Sequence, residues 1–284
     1  MIELLRLLAG TVQLRPYVFI FFACYLFLAV THMGWRKTVL YTVFAYLIAF
    51  ACEFSSVHNG FPFGLYHYVR ATRDRELWIA GVPFMDSLSF TFMSYISWEL
   101  ANLFRSPSIV SRKDVQVISL KRIQNSWATA ALAGTLMMYL DIIIDPLTLR
   151  GSKWFLGQIY YYPDGGVYFG VPISNFLGWW FVGFVIVRVF SFIEQRLFDA
   201  FRPEPGVVFY RYKAIGAPIL YFGVLGFNLA VTFCIGERLL ATAGTFIALC
   251  LLLLLLVAVD RNKQPGASAA IEEHLRDYRY SPLR

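Results

Sequence analysis

Charged and metal-binding side chains are scarce in this sequence of 284 residues. Asp, Glu, Lys and Arg make up 15% of it, whereas ordinary soluble domains carry about 25%. Only four His residues are present, and no two of them have an HxxH or HxxxH spacing. This scarcity excludes the His-rich di-iron sites of membrane hydroxylases and desaturases. The four Cys residues lie singly within apolar runs, so we predict neither a disulfide nor a zinc site.

Motifs that bind phosphate groups are also missing. The chain has no GxxxxGK motif followed by Ser or Thr, and it has no GxGxxG motif. The formal net charge of +7 is what the topology of a membrane protein produces, and it does not require a nucleic-acid surface. We therefore expect neither a cofactor nor a nucleic-acid partner.

Apolar residues make up most of the chain, with 58% hydrophobic and 18% aromatic residues. Seven apolar stretches are each long enough to cross a hydrocarbon core of about 30 Å, which takes about 20 helical residues. The sequence therefore predicts an all-α, polytopic membrane helix bundle. The predicted spans are residues 16–34, 35–54, 83–104, 126–145, 172–193, 215–235 and 239–259.

The regions outside the predicted spans suggest the domain organisation and the orientation. We expect an interfacial segment at residues 1–15, a transmembrane domain at 16–259 and a polar, solvated tail at 260–284. With the N-terminus outside, 17 of the 25 Lys and Arg residues fall on the cytoplasmic side. The positive-inside rule then predicts a multi-pass protein of the cell inner (cytoplasmic) membrane with a cytoplasmic C-terminus.

Two long loops on the predicted outer face are rich in aromatic residues. The first follows the second span and covers residues 53–68, and the second covers residues 154–169. Such residues form either an aromatic belt at the membrane interface or the wall of a pocket for an apolar or π-rich ligand. Both interpretations stay open on composition alone.

A weak internal repeat connects these loops. The tripeptide Gly-Val-Pro occurs at residues 81–83 and again at residues 170–172, each time at the start of a predicted span. In each copy a carboxylate stands 28 or 29 residues before the glycine, and a polar residue stands five residues after it. These residues are Glu53 and Asp86 in the first copy, and Asp141 and Asn175 in the second. The pattern predicts two parallel helix–loop–helix halves around one shared pocket.

Carboxylates within predicted spans need a reason, because each costs about 2.5–3.5 kcal/mol to insert. Asp141 and Asp145 are four residues apart and so share one helix face. Pro146 predicts the end of that span, where burial, the neighbouring carboxylate and the helix dipole all oppose ionisation. We expect at least one of the two to be protonated near neutral pH.

Three other acids differ in their predicted surroundings. Glu53 is predicted to end its helix, as Asp145 does, whereas Asp86 lies in the first turn of its own, where the dipole favours the ionised form. This contrast is typical of separate acid and base roles. The alternative is that these residues only cap helices and bind loop amides. Glu99 and Arg188, near the other end of the spans, are interpreted as a buried ion pair or as snorkelling groups.

At these residues the sequence resembles the membrane carotenoid hydratase family, which includes γ-carotene 1′-hydratase and bisanhydrobacterioruberin hydratase. The resemblance runs from about residue 53 to residue 179. Its matching segments are Glu53, residues 60–68 (GFPFGLYHY), residues 81–83, Asp141, Asp145-Pro146, Trp154 and residues 170–179 (GVPISNFLGW).

The resemblance implies a carotenoid 1,2-hydratase, a hydro-lyase that adds water across the terminal 1,2 double bond of an acyclic carotenoid end. Its partners would be water, membrane lipids, other carotenoid enzymes and a substrate such as lycopene, γ-carotene or a C50 analogue. Asp141 is the expected acid, with Glu53 as second choice, Asp145 as the paired carboxylate and Asp86 as the base. The expected substrate-binding residues are Phe61, Phe63, Tyr66, Tyr68, Trp154, Tyr161, Asn175 and Trp179.

Three other functions stay open at this point. A lycopene-type cyclase begins with the same protonation but lets an internal alkene capture the cation. A membrane prenyltransferase would use Asp141 and Asp145 as a DxxxD site for Mg²⁺ and diphosphate, although no second acidic cluster is present. A transporter or carotenoid-binding protein would use the buried acids in a proton pathway.

Overall fold

The structure is a computed structural model that describes residues 2–111, 114–198, 205–208, 210–263 and 269–278. Within these ranges the chain is almost entirely helical, with three short two-stranded sheets. The helices are α1 (Ile2–Leu14), α2 (Pro16–Met33), α3 (Trp35–Asn59), α4 (Phe84–Arg105), α5 (Lys121–Gln124), α6 (Trp127–Thr148), α7 (Ile173–Leu197), α8 (Gly216–Cys234), α9 (Arg238–Arg261) and α10 (Ala269–Asp277). The strands are β1 (His67–Tyr68), β2 (Trp78–Ile79), β3 (Val82–Pro83), β4 (Ser108–Ser111), β5 (Asp114–Val117) and β6 (Tyr160–Tyr161).

Each of the seven predicted spans corresponds to a long helix. Six of these helices, α2, α3 and α6 to α9, are long and apolar enough to cross a membrane. The predicted all-α membrane helix bundle is therefore confirmed. Three helices run well past their predicted ends: α3 continues to Asn59, α6 continues through Pro146 to Thr148, and α7 continues to Leu197. Pro146 has no N–H to bond the Ile142 carbonyl, and α6 ends within one turn of it.

The seventh helix, α4, occupies the centre of the bundle. It contacts α2, α3, α6, α7, α8 and α9, and 16 of its 22 residues are buried. Because protein surrounds it, α4 carries buried polar side chains, some of which bond to its own carbonyls and some to neighbouring helices. The Tyr41 hydroxyl, for example, donates to Ser94 Oγ at 2.8 Å. In contrast, α9 has exposed Leu and Val side chains along one face, as expected for a wall facing lipid.

The predicted repeat has a counterpart in the backbone. Before α4, the hairpin β2–β3 turns through Ala80 and Gly81, which have φ values of +47° and +87°. Before α7, the bridge between Tyr168 and Val171 encloses Phe169 and Gly170, with φ values of +52° and +94°. Two successive residues of positive φ are typical of a tight type I′ hairpin turn. Both Gly-Val-Pro tripeptides therefore end the same turn and lead into a helix.

The two aromatic loops pair with each other across the bundle. Strand β1 of the first loop and strand β6 of the second are antiparallel, with His67 opposite Tyr161 and Tyr68 opposite Tyr160. The Val69 amide adds a hydrogen bond to the Ile159 carbonyl at 2.7 Å. The loops therefore form one continuous cover over the ends of α3, α4, α6 and α7.

The N-terminal helix α1 is attached to the segment between the first loop and α4. The Thr11 hydroxyl accepts a hydrogen bond from the Leu77 amide at 2.8 Å. Arg15, which directly follows α1, forms a buried ion pair with Glu76, 3.1 Å between Nη2 and Oε1. It also donates to the Leu156 carbonyl, so that Arg15 links this segment to the second loop. The helix matches the predicted N-terminal segment, and its interfacial location stays a prediction.

At the other end of the bundle, residues 269–277 of the predicted polar tail form the helix α10, which docks beside α5. Arg122 binds Glu273 there at 2.7 Å. His274 is buried, and its Nδ1 lies 2.7 Å from the Ser119 carbonyl. These contacts join residues that are far apart in the sequence, so the composition of the tail could not predict them. The division of the chain into a transmembrane domain and a polar tail stays a prediction.

Glu99 and Arg188 do not form an ion pair with each other in this region. Glu99 Oε2 lies 3.2 Å from His32 Nδ1, on α2. The Arg188 guanidinium stacks 4.1 Å above the ring of Trp127 and donates to the Asn125 carbonyl. Both groups therefore have local partners.

Candidate active site

A cavity of about 120 Å³ lies beneath the paired loops. It admits several waters or the end of an apolar chain, since one water needs about 10–15 Å³. Carboxylates and tyrosines from the loops and helix ends line one part, and apolar side chains of α2, α4 and α8 line the rest. The main lining residues are Tyr17, Phe21, Glu53, Phe63, Tyr66, Tyr68, Asp86, Phe90, Phe92, Met93, Asp145, Trp154, Tyr160, Tyr162, Asn175, Trp179, Val224 and Asn228.

The first half of the repeat contributes Glu53 and Asp86 to this cavity. Glu53 has 3% of its surface exposed and accepts a hydrogen bond from Ser87 Oγ in the first turn of α4. Its other oxygen, Oε1, is 3.5 Å from the Tyr68 hydroxyl. The expectation that Glu53 ends its helix is wrong, because α3 continues to Asn59. Glu53 therefore lies more than one turn before the C-terminal end of α3, away from the negative end of the helix dipole, and protein atoms surround it.

The second half contributes Asp145, with Asp141 behind it. The Asn175 side-chain amide donates to Asp141 Oδ2 at 2.6 Å and to Asp145 Oδ2 at 2.7 Å. Asp145 also accepts hydrogen bonds from Tyr160 and, at 3.0 Å, from Tyr162. Asp141 is fully buried, its Oδ1 has no hydrogen-bond partner among the described residues, and it does not line the cavity. Asp145 therefore separates Asp141 from the cavity.

The two halves make similar contacts, which are offset by one residue in the repeat. In each, a carboxylate on the first helix binds a polar side chain in the first turn of the second helix. The pairs are Glu53 with Ser87, and Asp141 with Asn175. Carboxylates from both halves line a single cavity, as the predicted shared pocket requires.

Four tyrosines of the paired loops, Tyr66, Tyr68, Tyr160 and Tyr162, form a tyrosine cluster above these carboxylates. Their rings are in edge contact, with centroids 5.2 Å apart for Tyr66 and Tyr68 and 5.6 Å apart for Tyr66 and Tyr160. Burial raises the pKa of all four hydroxyls well above the usual range. They therefore stay protonated and act as hydrogen-bond donors at ordinary pH.

The two segments of the resemblance with the most aromatic residues pack against each other beside the cavity. The Ser174 hydroxyl donates to the Phe63 carbonyl at 3.3 Å. A Cβ at Gly178 would lie 2.6 Å from the Phe63 ring and 2.8 Å from the Pro62 carbonyl, so α7 approaches the loop closely only because residue 178 is Gly. Trp179 stacks on Phe90 with ring centroids 4.4 Å apart.

Most residues predicted for the site line the cavity, and three do not. Asp141 lies behind Asp145, as described above. Phe61 is 61% exposed and packs on Phe181, and Tyr161 is 44% exposed. Tyr161 points away because successive side chains of a strand alternate between its two faces. The predicted residues that do line the cavity are Glu53, Phe63, Tyr66, Tyr68, Asp86, Asp145, Trp154, Asn175 and Trp179.

Sequence reasoning missed several residues of the site. The same alternation that turns Tyr161 outward turns Tyr160 and Tyr162 inward. Alternation separates these two residues from Tyr161, but only the pairing with β1 decides which face is turned inward. Ser87 follows Asp86 directly and gave no signal of its own. Asn228 on α8 also lines the cavity, and only the packing of α8 against α4 brings it there.

No group of three or more His, Cys, Asp or Glu side chains that could hold a metal ion occurs within the described parts of the chain. Both carboxylates of the DxxxD pattern are engaged by Asn175, and Asp145 also by tyrosine hydroxyls.

The fold and this cavity define a multi-pass membrane protein with a buried, aromatic, carboxylate-lined site between two related helical hairpins. A family model described as carotenoid biosynthesis protein matches residues 14–259, and the chain belongs to that family. Its role is therefore in carotenoid biosynthesis. The comparisons with curated proteins and with solved structures found no match.

Proposed function

We propose that this protein is a carotenoid 1,2-hydratase, which adds water across the terminal double bond of an acyclic carotenoid end. The observation that carries the proposal is the presence of two carboxylates, the buried Glu53 and the half-buried Asp86, in a cavity lined mostly by aromatic and apolar side chains. Protonation of a trisubstituted alkene needs a neutral acid in a dry site, and water addition also needs a base. This cavity offers both groups to the end of an apolar chain.

Glu53 is the better candidate for the acid on geometric grounds. It lines the cavity, whereas Asp141 does not and is bound by Asn175. One oxygen of Glu53 accepts the Ser87 hydroxyl, and the other has only a long contact with Tyr68. That second oxygen is free to carry a proton toward a bound alkene.

The cation formed by protonation would be stabilised by aromatic faces. Transfer of the Glu53 proton to the terminal alkene leaves a tertiary carbocation at the adjacent carbon. Phe63, Tyr66 and Trp179 line the cavity together with Phe90. Aromatic rings attract a cation through their quadrupole by about 0.5–2 kcal/mol each. A polyene lying along the apolar part, toward Phe92 and Val224, would place its end group among these rings.

Water then completes the reaction beside the two carboxylates. The oxygen of water bonds to the cation and one proton passes to Asp86, which lies in the first turn of α4, where the helix dipole favours the carboxylate. Trp154 lines the cavity, and its buried Nε1 has no hydrogen-bond partner among the described residues. Its N–H is therefore available to hold the attacking water or the product hydroxyl. The product is a tertiary alcohol.

The Asp141–Asp145 pair has a different role in this proposal. Asp145 receives donors from Tyr160, Tyr162 and Asn175, an arrangement that stabilises the carboxylate and anchors the second loop to α6 and α7. We assign the pair to positioning the cover of the cavity.

Expression in a bacterium that produces lycopene tests the proposal directly. A hydratase gives a product heavier by one water, and growth in ¹⁸O-labelled water places the label in that product. A cyclase gives an isomer of unchanged mass without the label. A transporter or binding protein gives no new pigment, and either of these results would refute the hydratase proposal.

The orientation is part of the proposal and has its own test. With the N-terminus outside and the C-terminus in the cytoplasm, the paired loops face away from the cytoplasm. Cysteines placed at Tyr161 and Arg122, both exposed, should then react with an impermeant reagent from opposite sides of intact membranes. Labelling of both from the same side would contradict the orientation.

A further inference from the structure

The Tyr68 hydroxyl lies between the proposed acid and the proposed base. It is 3.5 Å from Glu53 Oε1, and it also interacts with the Asp86 carboxylate. The Tyr66 hydroxyl is also close, at 3.3 Å. Strand β1 fixes the backbone of Tyr68, and its ring packs edge-on against Trp78 at 5.7 Å. One rigidly held hydroxyl therefore contacts both carboxylates.

Each turnover of the proposed hydration leaves these two carboxylates in the wrong protonation states. Glu53 has given its proton to carbon and is ionised, whereas Asp86 has taken a proton from water and is neutral. The enzyme acts again only when one proton moves from Asp86 to Glu53. Direct exchange with bulk water is hindered, because Glu53 is 3% exposed and the paired loops cover the site.

We infer that Tyr68 is a proton relay that resets the site, a role that rests on the proposed function and goes beyond binding of the substrate. In the reset step the protonated Asp86 donates its proton to the Tyr68 oxygen, while the Tyr68 O–H bond breaks and its proton passes to Glu53. The tyrosine ends as a neutral phenol, and no charge is left on it. No oxidant, reductant or further reactant is consumed.

The surroundings of Tyr68 support a concerted transfer of this kind. Burial raises the pKa of its hydroxyl well above the usual range, so a free phenolate is not a stable intermediate. The Tyr66 hydroxyl stabilises the Tyr68 oxygen by a hydrogen bond while both of its proton contacts change. Because Tyr68→Phe keeps the ring in the cavity lining and removes only the hydroxyl beside the carboxylates, this loss affects resetting more than substrate packing.

Tyr68→Phe tests the relay by separating the first turnover from those that follow. With enzyme in excess over the carotenoid, each molecule reacts once from the reset state, and we expect a rate within about threefold of the wild type. With carotenoid in excess, every turnover needs a reset, and we expect the rate to fall at least tenfold. The matched control is Tyr25→Phe, which removes a buried hydroxyl bonded to Thr42 at 2.7 Å, far from the cavity lining.

The other possible results for Tyr68→Phe would each argue against a relay. Equal losses in the single-turnover and multiple-turnover rates would place Tyr68 in the chemical step or in the fold, and unchanged rates would show that the proton returns by another route. Either would overturn the relay. If Tyr68→Phe does not accumulate, 3,5-difluorotyrosine at position 68 keeps the hydroxyl but makes it more acidic, and it should change only the multiple-turnover rate. A wild type that forms no hydrated product refutes the proposed function itself.

Discussion

Replacement of Glu53 by Gln is the most direct test of the proposed chemistry. Gln keeps the size of the side chain and can still accept the Ser87 hydroxyl, but it has no proton to give an alkene. A positioned general acid contributes about 10²–10⁴-fold to the rate. At about 1.36 kcal/mol per tenfold, this corresponds to about 3–5 kcal/mol of lost transition-state stabilisation. We expect Glu53→Gln to lower hydration by that factor with little loss of folded protein.

The assay is the amount of hydrated carotenoid per folded, membrane-inserted molecule, with product identified by mass. Glu99→Gln is a matched control, because it makes the same chemical change in another carboxylate of the bundle, which is half-buried. Glu99 binds His32 at 3.2 Å and Asn102 at 3.3 Å and does not line the cavity. We expect this variant to keep nearly full turnover.

Two outcomes would refute the reasoning. Turnover of Glu53→Gln within about threefold of the wild type would remove Glu53 as the acid. A loss of hydration in Glu99→Gln as large as that in Glu53→Gln would place the chemistry at the opposite end of the bundle.

Three further predictions address the rest of the structure. Asp141→Asn should change turnover per folded molecule by less than about tenfold, because the Asn oxygen still accepts from Asn175 and residue 141 does not line the cavity; a loss of about 10²-fold would return the acid role to Asp141. Gly178→Ala should lower the free energy of unfolding by about 1–3 kcal/mol and reduce activity, since the new Cβ would lie 2.6 Å from Phe63. A melting temperature in detergent equal to that of the wild type would contradict this. The hydrogen bond from Lys153 lowers the pKa of Glu237 below its ordinary value of 4.5. This pair therefore stabilises the fold above pH 4.5, and its contribution should be lost as the pH falls through the lowered pKa. The free energy of unfolding of Glu237→Gln should lack this pH dependence.

Much of the architecture could be predicted from the sequence, for physical reasons that are local to the chain. Long apolar stretches must form helices in a bilayer, since an unpaired backbone amide is too costly there. Pro16 begins α2, and Gly34 ends it, with a φ of +85° that few other residues adopt. The repeated Gly-Val-Pro tripeptide predicted two related halves, because a tight turn of positive φ requires such residues wherever it occurs.

The sequence also indicated the kind of chemistry but not which carboxylate performs it. Asp141 and Asp145 share a helix face by their spacing, and either could have faced a ligand. Their separation into a cavity-lining residue and a buried one depends on Asn175, which arrives from α7 and binds both. Such a contact joins residues 30 and 34 positions apart, and no local pattern encodes it.

Tertiary structure alone decided which aromatic residues form the site. The pairing of β1 with β6 sets the register that turns Tyr160 and Tyr162 inward and leaves Tyr161 outside. A shift of one residue in that register would exchange these faces. The central position of α4 could not be predicted from its composition either. Its polar side chains lower its hydropathy, and only the packing of the surrounding helices shows that many of them are buried. Local sequence thus determined the helices and turns, whereas long-range pairing of loops and helices determined the cavity and the contacts of its acids.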